Sequence, residues 1–221
     1  MSPRSNDSLR ELQLAFIGKV MAGLSHEFKN HLAIIRELSG LIGDLLMLEE
    51  QEQPMNIERY KKNIAGIDER ITQAAEMCRF LSSFSHRMDQ ALSSFNVNDV
   101  LQELIYLLHR FAHQKQVKLA PSFAEGQPTI FNNPSLLQFA IFCNIWPLLE
   151  SLEPEGAILI ATTQQDNAVE IVVKSEGAMK GQTTDNPFQE MLPEALHVLG
   201  AGLSRKAPEE CAVTISSLEG P

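Results

Sequence analysis

Apolar positions in the first fifty residues recur in steps of 4 and 3: Ile17, Met21, Leu24, Phe28, with His31 on the same line, then Ile35, Leu38, Ile42 and Leu45. Such stepping makes a narrow seam of the kind that packs helix against helix. The pattern predicts a disordered start over residues 1–7. A helix then opens at the capping box Ser8-Leu9-Arg10-Glu11 and runs to about Glu49. The polar run Glu49-Glu50-Gln51-Glu52-Gln53-Pro54 predicts a turn, and Asn56 is a good N-cap for a second helix. That helix repeats the stepping through Tyr60, Ile64, Ile67, Ile71, Ala74, Cys78, Leu81, Ser85, Met88 and Leu92. Two such helices form an antiparallel hairpin. Val20, Ile34, Leu41 and Leu48 flank the first seam, and apolar surface on that scale predicts a homodimer paired as a four-helix bundle.

After Asn96 the pattern changes. Val100 to Gln114 reads as an amphipathic helix, and Val117-Lys118-Leu119 and Thr129-Ile130-Phe131 as short strands. Leu136 to Leu152 is an apolar helix that Pro147 should interrupt or bend. Residues 157–162 and 168–173 alternate as two strands, 189–199 form a helix, and 212–216 a final strand. The expected fold class is α+β: an antiparallel helical hairpin over residues 1–94, followed by an α/β sandwich over residues 95–221.

The composition narrows the setting. A formal charge of −10 argues against sequence-independent nucleic-acid binding and against docking on an anionic membrane. No signal peptide is visible, and the most apolar run, Leu136 to Leu149, is too short to span a bilayer. Cys78, Cys143 and Cys211 show no metal spacing and sit among apolar residues, so buried free thiols in a reducing, cytoplasmic setting are expected.

The candidate chemistry lies on the first helix. At about 100° per residue His26 falls roughly opposite the seam, with Asn30 one turn further along the same outer side. Around them Ala22, Ser25, Lys29, Ala33 and Gly40 are small or polar and leave room for an approaching partner. A surface histidine on a bundle helix is a common thing, and by itself it implies no reactivity. A His-Glu-x-x-His zinc site is excluded, because His26 and His31 are five apart and point to different sides. His31 reads instead as a seam residue, hydrogen-bonded or partly buried. His109 and His113 share a helix face, but His86, His109, His113 and His197 show no ligand grouping, so no metal is expected.

The stretch Leu24-Ser25-His26-Glu27-Phe28-Lys29-Asn30 resembles the phospho-acceptor motif of sensor histidine kinases, with His31 in place of the usual proline. The order of elements after the hairpin resembles the ATP-binding domain of the same family. Asn133-Pro134, with Leu136, Leu137 and Gln138, matches the approach to the asparagine-bearing helix. Glu170 to Val173 matches the strand before the Asp-x-Gly-x-Gly motif, and Leu199-Gly200-Ala201-Gly202 the turn before the last strands. The resemblance implies that His26 carries phosphate and that Glu27 orients the imidazole or takes its proton. It implies that Asn30 positions a water or an aspartyl phosphate, and that a receiver domain docks around Ala22, Ser25, Lys29 and Ala33.

The nucleotide-binding half of that resemblance is degenerate. The family's two asparagines fall on Phe142 and Trp146, or, shifted by one, on Cys143 and Pro147. Asn144 fits neither register, and Glu150 is either a remnant of the acid or a solvated carboxylate at a helix end. Ser175-Glu176-Gly177-Ala178-Met179 replaces the adenine motif, and residues between Met179 and Pro187 are too few for a Gly-rich lid. Phe142 and Trp146 read most simply as core packing in an abandoned pocket, so no ATP and no other cofactor is expected. Hairpin and degenerate second half together resemble the dimeric histidine phosphotransferases, which exchange phosphate with receiver aspartates. The rival readings are a binding module that sequesters a receiver or kinase, and a divergent active kinase. With no transmembrane span in the sequence, any input is expected to arrive through a partner.

Overall fold

The computed structural model describes residues 3–50, 56–165, 167–180, 186–207 and 209–218. Two long helices come first, α1 (Pro3–Glu50) and α2 (Ile57–His86). The helix α1 begins at Pro3 rather than at Ser8. Proline is tolerated in a first turn, where its missing N–H has no helical partner, and Leu9 is buried and anchors the helix start. The expected turn falls partly outside the described residues, and Glu49 and Glu50 are helical. Asn56 caps α2 as read: its Oδ1 accepts from the Arg59 backbone N–H at 3.2 Å.

Contacts divide the chain into two compact units, Met21–Ser82 and Met1–Val20 with Ser83–Pro221. The first is the hairpin, its helices antiparallel. Gly66 of α2 admits close approach there, because a Cβ in its place would stand 2.9 Å from the Leu38 side chain. One copy leaves much of its apolar surface bare: Ile57, Ile64 and Ile71, spaced seven apart on α2, are each more than half exposed. Cys78 continues that line and is exposed, not buried as expected.

The second unit is built on β1 (Ser93–Asn96), α3 (Val97–Gln114), β2 (Lys118–Ser122), β3 (Thr129–Asn132), α4 (Pro134–Ser151), β4 (Ala157–Gln165), β5 (Ala168–Glu176), α5 (Pro187–Leu199), β6 (Gly202–Ala207) and β7 (Glu210–Ser216). Five strands form a mixed sheet in the order β2-β4-β5-β7-β6, parallel only between β2 and β4, while β1 and β3 pair separately. On β5 the residues Val169, Ile171 and Val173 point into the core and alternate with more exposed neighbours, so one face of the sheet is covered. The helix α4 is buried almost all round and forms the centre of this unit. It runs through Pro147 without interruption, although that residue has no N–H to give to the turn before it.

Asparagine side chains open α3, α4 and α5 by accepting backbone N–H groups at 2.8, 2.9 and 3.1 Å. The end of α2 is tied in by Arg87, whose Nε and Nη2 donate to the buried Glu103 carboxylate at 3.2 and 2.9 Å. Gln138 on α4 donates to the same carboxylate at 3.2 Å. Among the described residues no helix is long and apolar enough to cross a membrane.

Candidate functional site

In the hairpin unit His26 is exposed, as its offset from the seam requires. Asn30 Nδ2 lies 3.2 Å from His26 Nδ1, one turn along the same helix. Glu27 is half-buried and makes no hydrogen bond to the ring among the described residues. Ala22, Ser25, Lys29 and Ala33 are all exposed, so the open face around the imidazole exists as read. His31 points elsewhere: it is half-buried, and its Nδ1 is buried without a hydrogen-bond partner. The arrangement is an exposed imidazole on a long helix, with the Asn30 amide at one ring nitrogen. On the seam side of the hairpin runs an apolar groove of about 220 Å³ lined by Met21, Leu24, Ser25, Phe28, Met77, Cys78 and Leu81.

In the other unit the positions of the expected asparagines are aromatic. Phe142 is fully buried, and Trp146 is half-buried against it with ring centroids 5.3 Å apart. Three rings reach them from other elements. Phe16 of α1 lies tilted against Phe142 with centroids 4.6 Å apart, Phe188 of α5 meets it edge-on at 5.0 Å, and Phe111 of α3 meets Trp146 at 5.3 Å. Lys19 sets its ammonium 4.6 Å from the centre of the Trp146 ring and 5.9 Å from that of Phe188. No side-chain oxygen for a divalent cation comes from either Phe142 or Trp146.

The remaining family positions are occupied structurally. Asn144 Nδ2 donates to the Ala140 carbonyl one turn back, and the Glu150 carboxylate accepts from Asn186 Nδ2 at 3.1 Å. Ser175, where the adenine-binding aspartate would stand, is buried with its hydroxyl unpartnered. Gly177 is explained by backbone geometry: its φ is +125°, and a Cβ there would stand 3.0 Å from Gly156 Cα. The segment expected to be too short for a lid lies largely outside the described residues. Among the described residues no group of three or more His, Cys, Asp or Glu could hold a metal ion. Burial pushes the Cys143 thiol far above its ordinary range, and it raises that of Cys211 against the opposing pull of Arg205.

The sequence reading placed His26 among exposed residues and Phe142 in the core, where the structure has them. It did not anticipate that Phe16, Lys19 and Phe188 pack against Phe142 and Trp146. The signal for Phe16 was present: a large aromatic one place off the seam, with no neighbour on its own helix to bury it.

No protein-family model matches the chain. No curated protein matches it in sequence. Solved structures do match in fold. The histidine kinase AdeS of Acinetobacter baumannii is 10% identical and aligns over 88% of this chain and 98% of its own, with a TM-score of 0.50. The catalytic domain of the histidine kinase ThkA is 11% identical over 58% of this chain and 98% of its own, with a TM-score of 0.51. The chain therefore has a histidine kinase-like fold, an N-terminal helical hairpin followed by an α/β domain with a mixed sheet.

Proposed function

We propose that this chain works in two-component signalling as a cytoplasmic homodimer that carries a phosphoryl group on His26. It exchanges that group with receiver-domain aspartates and does not take it from ATP. Residues 1–94 are the dimerisation and phosphotransfer hairpin, and 95–221 a degenerate kinase-type sandwich. One contrast carries the reading: the imidazole is open to a visitor, while Phe142 is sealed under Phe16.

The neutral imidazole is a nucleophile near pH 7, and a phosphoryl group on nitrogen stays labile enough to move on. Its chemistry is mainly a matter of positioning and charge. The receiver seats against Ala22, Ser25, Lys29 and Ala33, whose small or flexible side chains allow close approach. Lys29 supplies a positive charge to phosphate oxygens, and Glu27 takes or shares the ring proton. The bare line of Ile57, Ile64 and Ile71 supports the dimer, since a lone hairpin would expose that much apolar surface to water.

The test is incubation of the purified chain with a receiver domain phosphorylated on its aspartate. An acid-labile label should appear on the wild type and not on His26→Gln. If the receiver binds both forms equally and labels neither, the chain is a binding module and the proposal fails.

A further inference from the structure

The helix α3 carries a second group of side chains with chemistry to offer. Its apolar stripe, which includes Val100, Leu101, Leu104, Leu108 and Ala112, is buried. His109 and His113 stand one turn apart outside that stripe, and both are exposed. Their rings lie stacked, with centroids 6.4 Å apart and planes 28° from parallel. Other histidines have a polar side chain to answer: Nδ1 of His86 lies 2.8 Å from Asp89 Oδ2, and that of His26 lies 3.2 Å from Asn30 Nδ2. Among the described residues no hydrogen bond or ion pair engages the ring of His109 or of His113. A neutral imidazole presents one lone pair, and two of them one turn apart on a helix can reach a single cation.

We propose that His109 and His113 form a two-imidazole site for a divalent transition-metal ion, with Cu²⁺ the best fit. Imidazole nitrogen suits copper, nickel and zinc, whereas magnesium and calcium take oxygen ligands. Among the first-row divalent ions a nitrogen site holds Cu²⁺ most tightly. The donor count points the same way. A closed zinc site needs four protein ligands, and among the described residues no group of three His, Cys, Asp or Glu could hold a metal ion. The sequence lacks a full ligand set, and a two-donor copper site does not need one. Cu²⁺ in tetragonal coordination takes two adjacent nitrogens and fills its other positions with water. With metal–nitrogen bonds of about 2 Å at a right angle, the two nitrogens stand about 3 Å apart. The stacked rings are set wider than that. Rotation of two exposed side chains closes the gap and leaves the buried stripe alone. The chain's net charge of −10 does not oppose a cation. His113 lies in the last turn of α3, where helices fray, so a bridging ion ties that turn to the one before it.

The experiment is calorimetric titration of the full chain with Cu²⁺ at neutral pH, repeated on His109→Ala, His113→Ala and His86→Ala. A further variant combines His113→Ala with Gln114→His. It keeps the number of histidines but moves the second one off the shared face, since five residues along a helix do not return to the same side. Wild type and His86→Ala should take one tight ion per chain at the same affinity. Each single loss at 109 or 113 should weaken binding roughly a hundredfold, because an outer-shell partner alone is worth about ten to a hundred. The respaced variant should bind as weakly as the single losses. Pulsed electron spin resonance of the wild-type complex should show two equatorial imidazole nitrogens. Equal affinity in wild type and the respaced variant means adventitious binding to separate surface histidines and overturns the proposal. A tight ion that survives both single losses overturns it as well. Zn²⁺ should bind more weakly with the same dependence on both residues, and tighter Zn²⁺ would overturn the choice of copper.

Discussion

The outer face of α1 around His26 and the inner face of α4 around Phe142 answer to the same family pattern in opposite ways. Around His26 the side chains are small, polar and exposed, and the titratable ring is held by a single neighbour. Around Phe142 they are aromatic and drawn from α1, α3, α4 and α5, with Phe16, Phe142 and Phe188 buried. Chemistry needs access and a lone pair, while packing needs area and fit. The two faces show which of these demands each part of the chain serves.

The largest expected effect comes from the bare apolar line on α2. Replacing Ile64 and Ile71 together by Glu should convert the proposed dimer to a monomer in sedimentation, with little change in the fold of either unit. A dimer that survives places the interface elsewhere. Next is Phe142→Asn, which restores the family's residue type in one of the two registers. It should lower stability by about 4 kcal/mol, through lost burial and an unpaired amide, and should yield no calorimetric signal with millimolar Mg-ATP. Regained nucleotide binding would erase the contrast between the two faces. Phe16→Ala should cost about 3 kcal/mol in denaturant unfolding, because its ring is buried against Phe84, Phe139 and Phe142. By comparison Ala22→Trp or Ala33→Trp should change stability by less than about 0.5 kcal/mol and slow transfer from a receiver. The smallest effect is in thiol labelling. Cys78 should react first, Cys211 later and Cys143 last, since burial raises the latter two and lowers their thiolate fraction at any given pH.

How much of this was legible in sequence depends on how local each cause is. The hairpin, the outward turn of His26 and the strands β4 and β5 came from periodicity, which a chain carries residue by residue. The strands β1 and β6 did not. Ser93-Ser94-Phe95-Asn96 is mostly polar and is held by pairing with β3, while β6 is an edge strand whose Leu203, Ser204 and Arg205 are exposed, so it has no alternation to read. Phe16 belongs to the long helix by pattern and to the sandwich by contact, a long-range choice that no local repeat encodes. Cys78 was read as buried because it lies on the seam, and it is exposed because a position on the seam does not by itself supply a neighbour to cover it.

The central claim is that phosphate reaches His26 from a partner's aspartate and not from nucleotide. The direct measurement is the intact mass of the chain after parallel incubations with Mg-ATP and with a phosphorylated receiver. The account predicts a gain of one phosphoryl group only with the receiver, lost on brief acid treatment and absent from His26→Gln. A gain from Mg-ATP alone would contradict it.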